Sequence, residues 1–201
     1  MLRMIGIVDY GGGNLGSVSN ALNFLGVEFL SSSKKIELDG CSALVFPGVC
    51  SFGFAMQKVD ELGLRDFLRD WISSGKNFLG ICVGMQVLLE ASAESPGAEG
   101  LGVLKGKCVK FRNLGVKVPQ VGWNSVESSV FPSGFAYFVN SYYCKPMGSA
   151  EKAVAAKTEY GVEFASALKF KNCFATQFHL EKSGVYGLDL LRDWLKCLRK
   201  E

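Results

Sequence analysis

The stretch Phe78-Leu79-Gly80-Ile81-Cys82-Val83-Gly84-Met85-Gln86 decides how this chain is read. Phe78–Ile81 is a short apolar run of the kind that forms a buried strand, and Gly84–Ala91 reads as a helix. A strand-to-helix turn this tight forces its apical residue, Cys82, into a strained backbone conformation, for which the flanking glycines leave room. The side chain then projects at the carboxyl edge of the sheet. A helix N-terminus there favours a thiolate, and the Val83 amide is placed to donate to an oxyanion. The segment is the thiol counterpart of the G-x-S-x-G elbow. Most cysteines are buried structural residues. That reading suits the other six, but the elbow makes Cys82 a candidate nucleophile.

Upstream, strand and helix alternate. Ile5–Asp9 is apolar until Asp9, and a Gly-rich turn follows. Leu15, Val18, Ala21, Leu22 and Leu25 then recur at helical spacing, with Gly26 as the stop. Val27–Leu30 and Ala43–Phe46 read as strands, and Met56–Ser73 as a helix interrupted at Gly63. This rhythm predicts a parallel sheet covered by helices. Downstream, Val103–Phe111, Val121–Val126, Ala136–Tyr143, Ala153–Glu159, Phe164–Phe170 and Cys173–His179 read as strands with antiparallel or mixed pairing. Leu188–Leu198 reads as a closing amphipathic helix. The expectation is one α/β domain over residues 1–201, with a flavodoxin-like, mixed but mainly parallel sheet flanked by helices and antiparallel strands in the C-terminal half.

Three further segments fall at predicted strand ends. Gly11-Gly12-Gly13-Asn14-Leu15-Gly16 satisfies G-x-G-x-x-G between a strand and a helix. A dinucleotide site needs a carboxylate at the end of the second strand, where this chain has Leu30-Ser31-Ser32-Ser33. The turn therefore reads as a tight βα loop, or a place where backbone approaches another group closely. In Gln177-Phe178-His179-Leu180-Glu181, His179 is the only histidine of the chain, so any Cys–His chemistry must use it. His179 and Glu181 stand two apart at a strand end, so both would point to one face, where the carboxylate can fix the imidazole tautomer. Phe46-Pro47-Gly48-Val49-Cys50-Ser51-Phe52-Gly53 is either a simple Pro-Gly turn or a loop whose amides supply a second oxyanion donor.

Composition narrows the classes. The 201 residues are 48% hydrophobic and 20% charged, which is ordinary globular composition. A net charge of +3 is too small to argue for nucleic acid or an anionic membrane. The seven cysteines show no C-x-x-C, and one histidine excludes a Cys₂His₂ zinc site. No metal site or cofactor is expected. The apolar run Met4–Val8 is too short for a secretory signal. The uncharged stretch Gly40–Gln57 is broken by Pro47, Gly48 and Gly53, so it does not read as a membrane span. A soluble, reduced, cytoplasmic protein is expected. On residues alone, a cysteine hydrolase and a non-catalytic flavodoxin-like module both stay open.

Taken together, Gly80–Gln86, the Pro47–Gly53 loop and Phe178–Lys182 resemble the class I (triad) glutamine amidotransferases. Asp9–Leu15, Pro119–Asn124 and Tyr137–Tyr142 extend the resemblance over essentially the whole chain. Within that family the chain is similar to glutaminase subunits of histidine biosynthesis. The resemblance implies L-glutamine as substrate and Cys82 as nucleophile, with His179 as acid and base and Glu181 as orienting carboxylate. It places Gln86, Asn140, Ser141 and Tyr142 in the glutamine pocket, and Val49, Cys50 and Val83 at the oxyanion hole. It implies a cyclase subunit, a (βα)₈ barrel, as partner in a heterodimer, with Asn14, Trp123 and Lys182 at the interface. A glutaminase serving a different synthase is the alternative. The chain departs from the family at Leu180, where proline is usual, at Cys50, where glycine is usual, and at Asn140, where histidine is frequent.

Overall fold

The computed structural model describes residues 4–112 and 115–198. The chain opens with β1 (Ile5–Val8), α1 (Leu15–Phe24), β2 (Phe29–Ser32), α2 (Lys35–Asp39) and β3 (Ala43–Phe46). Helices α3 (Phe52–Glu61) and α4 (Arg65–Ser73) precede β4 (Asn77–Ile81) and the short α5 (Val83–Gln86). Strands β5 (Ala91–Ser92), β6 (Gly106–Lys110), β7 (Gln120–Ser128), β8 (Gly134–Asn140) and β9 (Tyr142–Pro146) follow. The last elements are β10 (Val154–Glu159), β11 (Glu163–Phe170), β12 (Cys173–Thr176) and α6 (Gly184–Cys197).

The main sheet runs β2-β1-β3-β4-β12-β11-β10-β7-β8. From β2 to β12 every pairing is parallel, and from β12 to β8 every pairing is antiparallel. β1 (IGIV), β3 (ALVF) and β12 (CFAT) are buried at every residue, as parallel strands covered on both faces must be. Helix α4 turns Phe67, Leu68, Trp71 and Ile72 inward, the amphipathic spacing of a helix packed on a sheet. β4 sits between β3 and β12. The turn after β4 and the segment after β12 therefore emerge side by side at the carboxyl edge of the sheet, which brings Cys82 and His179 together from 97 positions apart in the sequence.

Several boundaries differ from the sequence expectation, each for a local reason. Val27 belongs to the cap of α1: its N–H bonds to the Leu22 carbonyl while Gly26 takes φ of 66°, so β2 begins only at Phe29. The predicted strand Ala136–Tyr143 divides at Ser141 into β8 and β9. The Ser141 carbonyl accepts from Phe111, and the two strands go to different partners. Residues 101–104 do not extend β6, because the amides of Leu101, Gly102 and Leu104 bond to the carbonyls of Val87, Leu89 and Leu88. The predicted helix Gly84–Ala91 shrinks to the four residues Val83–Gln86, so its macrodipole is correspondingly small.

Candidate active site

Cys82 takes φ 55° and ψ −103°, a left-handed conformation that costs a non-glycine residue ~1–2 kcal/mol. What holds it there is packing on both sides. A Cβ on Gly80 would stand 2.5 Å from the Gly84 carbonyl oxygen, and one on Gly84 would stand 2.0 Å from the Phe46 carbonyl oxygen. Both glycines are thus demanded by close backbone approach. The Cys82 N–H donates to the Thr176 carbonyl at 2.7 Å, and its own carbonyl accepts from Met85 and Gln86. Val83 is the first residue of α5, where an N–H has no partner within the helix.

His179 and Glu181 do come together, but not by strand alternation. β12 ends at Thr176, and Leu180–Lys182 is a 3₁₀ turn. The turn carries the Glu181 carboxylate to 2.8 Å from His179 Nδ1, and both side chains are about 2% exposed. The backbone here is pinned on both sides. Thr176 Oγ1 donates to the Phe178 carbonyl at 2.8 Å, the His179 N–H donates to the Tyr137 carbonyl at 3.0 Å, and Ser183 Oγ donates to the His179 carbonyl at 2.6 Å. Leu180, fully buried, therefore sits in a fixed turn without the ring of proline. Burial works against an imidazolium at His179, but hydrogen bonds to Cys82 and Glu181 and their negative charges outweigh it, and its pKa is pushed up to about 10. The second carboxylate oxygen of Glu181 is buried without a partner, so Glu181 serves the imidazole alone.

Cys82 and His179 open on a cleft of about 670 Å³. Gln86, Asn140, Ser141, Tyr142, Val49, Cys50, Val83, Asn14 and Lys182 also line it. Trp123 does not line the cleft. It stands on β7, 57% exposed, opposite Tyr137 of β8 and in ring contact with it. Asn14 caps α1 by accepting from the Ser17 amide. The Val49 N–H donates to the Gly12 carbonyl at 3.2 Å, so in this structure it is turned away from the cleft. Among the described residues the non-glycine positions with positive φ are Cys82 and Lys171, so Cys50 carries no left-handed strain as it stands. Burial raises the Cys50 thiol pKa, partly offset by the Tyr10 hydroxyl 3.7 Å away. Asn140 donates to the Tyr142 carbonyl, while its Oδ1 is buried without a protein partner.

The sequence reading missed Glu94, which also lines the cleft. Its carboxylate accepts from the Phe52 N–H at 2.7 Å, Ser95 accepts from Gly53 and Ser51 accepts from Phe54. These three side chains cap α3 and so anchor the far end of the Pro47–Gly53 loop. A capping carboxylate 42 residues along the chain from the amide it caps leaves no local signal in the sequence. Among the described residues no cluster of three or more metal-ligating side chains occurs.

A thiol at a strained elbow, an imidazole held by a buried carboxylate and an adjoining cleft define a Cys-His-Glu arrangement at the parallel half of a mixed α/β sheet. The chain belongs to the class-I glutamine amidotransferase family, whose sequence model matches residues 7–197. It is 46% identical to the imidazole glycerol phosphate synthase subunit HisH of Methanothermobacter thermautotrophicus, over 98% of this chain and all of that one. It is 42% identical to the subunit HisH of Bacillus subtilis, over 98% of each chain. In fold it matches a crystal structure of a glutamine amidotransferase with a TM-score of 0.79 and 23% identity, covering 98% of this chain and 99% of that one.

Proposed function

We infer that this chain is the glutaminase subunit of an imidazole glycerol phosphate synthase of histidine biosynthesis. It hydrolyses L-glutamine to glutamate and ammonia and delivers the ammonia to a cyclase subunit. The kinship with HisH subunits over nearly the full length supports the pathway. The convergence of Cys82 and His179 on one cleft, with the buried Glu181 carboxylate on the imidazole, supports the chemistry.

The Cys82 thiolate attacks the carboxamide carbon of glutamine, and the carbonyl π electrons move to oxygen. The Val83 amide and an amide of the Val49–Cys50 loop receive that oxyanion. The C–N bond breaks as the His179 imidazolium gives its proton to the leaving nitrogen, which departs as ammonia. The now neutral imidazole takes a proton from water, hydroxide adds to the thioester, and the C–S bond breaks to release glutamate and restore the thiolate. Gln86, Asn140, Ser141 and Tyr142 hold the amino-acid end, and Glu94 is the carboxylate placed to meet its ammonium. No cofactor takes part.

The turned-away Val49 amide gives this scheme its control. With that N–H on Gly12, the second oxyanion donor is withheld, and one missing donor costs about 2.7–4 kcal/mol, or 10²–10³ in rate. The partner is a cyclase of (βα)₈ barrel form. It docks over Asn14 and Lys182 of the cleft and over the exposed Trp123 of β7, and favours the turned loop when its own ligand is bound. Ammonia is largely protonated and inert in neutral water, so transfer within a docked pair is the productive route. Residues 1–201 act as a single amidotransferase domain in the cytoplasm, with neither nucleic acid nor membrane as a partner. No helix among the described residues is long and apolar enough to cross a membrane. A diazo-ketone analogue of glutamine tests the chemistry. It should add one equivalent at Cys82, and excess glutamine should protect. Labelling that glutamine does not slow would refute the reading.

A further inference from the structure

We propose that Gln177 is a further catalytic residue, whose side-chain N–H donates to the Cys82 sulfur and holds it in its charged form. This rests on the reading of Cys82 as the nucleophile. Gln177 lies just beyond β12, fully buried, with its backbone N–H on the Ser166 carbonyl at 2.9 Å. Its Nε2 is 3.5 Å from Cys82 Sγ.

The orientation of that carboxamide is fixed by its neighbours. The Tyr142 carbonyl can only accept, and Gln86 Nε2 donates to it at 3.2 Å. Gln86 must therefore present its remaining N–H to Gln177 Oε1, at 3.1 Å. With Oε1 so engaged, Gln177 Nε2 is left facing sulfur. Asn140 donates to the same Tyr142 carbonyl at 3.0 Å and fixes the start of the relay.

A buried amide needs partners in any case, but this one gains most when its acceptor is charged. The protonation state of His179 changes through the reaction. It is an imidazolium beside the thiolate, neutral once ammonia has left, and an imidazolium again when the C–S bond breaks. Gln177 donates whatever the protonation state of the imidazole, and so supports the sulfur in both halves of the reaction.

The test is the pH dependence of Cys82 alkylation by iodoacetamide in the full chain, read on the Cys82 peptide by mass spectrometry. Gln177→Met keeps the side chain's length and removes the donor. The expected result is a reaction at neutral pH slowed about tenfold or more, as for loss of a hydrogen bond to a charged group, with the pH midpoint moved upward. An unchanged midpoint in the folded variant overturns the proposal. If that variant does not fold, the unmutated chain decides. The Gln177 side-chain amide resonance should shift as Cys82 titrates and lose that shift in Cys82→Ala, and a resonance indifferent to Cys82 overturns it. Alkylation that behaves as expected, in a chain that hydrolyses no glutamine with a liganded cyclase, would sink the glutaminase reading and leave Gln177 assigned.

Discussion

The Glu181 carboxylate meets His179 Nδ1 at 2.8 Å, at a place where both side chains are closed to solvent. One carboxylate oxygen therefore fixes the imidazole tautomer and presents Nε2 as the working nitrogen. Glu181→Gln keeps the shape but removes the charge that steadies an imidazolium. It should lower cyclase-activated kcat by about 10²–10⁴, the span typical of positioned acid–base groups, with a smaller change in KM. Steady-state glutamate release with the partner present measures this, and a near-normal kcat would exclude Glu181 as the group that steadies the imidazolium.

The same contact links stability to pH. The His179 pKa is raised from 6.5 to about 10, because Cys82 and Glu181 outweigh the penalty of burial. A group whose pKa rises on folding contributes its full stability below its unfolded value and loses it as pH climbs through the folded one. The contribution of His179 should thus be complete below about pH 6.5 and fade toward pH 10. Thermal melts of wild type and His179→Gln across this range should converge as pH rises. A gap that widens with pH would contradict the assignment.

At the elbow, Gly84 leaves no room for a methyl group. A Cβ there would lie 2.0 Å from the Phe46 carbonyl oxygen, which is backbone of a central strand and cannot swing aside. Gly84→Ala should cost roughly 1–3 kcal/mol or more, seen as a lower denaturant midpoint, and should slow alkylation of Cys82. Unaltered stability would mean that the elbow is looser than its packing indicates.

How much of this was readable in the sequence depends on how local each feature is. β1, β3 and the elbow are written in consecutive residues, as apolar runs and glycines at fixed offsets. Cys82 could be named as a candidate nucleophile for that reason, and His179 as its candidate base because it is the only histidine of the chain. What the sequence hid is non-local. Val27 looks like a strand residue but is spent on the cap of α1. Ser141 gives no sign that it divides β8 from β9, because the cause is Phe111, thirty residues earlier. His179 and Glu181 suggest strand alternation, whereas a 3₁₀ turn pinned by Thr176, Tyr137 and Ser183 sets their geometry. Glu94 was invisible for the same reason.

Cys50 bears on activation. It has an ordinary backbone conformation now, and if activation turns the Val49–Cys50 peptide, Cys50 would have to take a left-handed one, at ~1–2 kcal/mol. Cys50→Gly removes that cost. Activated glutamine hydrolysis should rise by up to about tenfold, since each 1.36 kcal/mol is a factor of ten. A variant no faster than wild type would show that the loop does not turn at Cys50.

The central claim is that Cys82 hydrolyses glutamine under the control of a docked cyclase. The most direct measurement is glutamate release from glutamine by wild type and Cys82→Ala, each alone and with a cyclase subunit carrying its nucleotide ligand. The account predicts slow release by wild type alone, release faster by at least about 10² with the liganded cyclase, as befits completion of an oxyanion hole, and none from Cys82→Ala in either mixture. Full-rate hydrolysis by the isolated chain, or hydrolysis that survives the loss of Cys82, would contradict it.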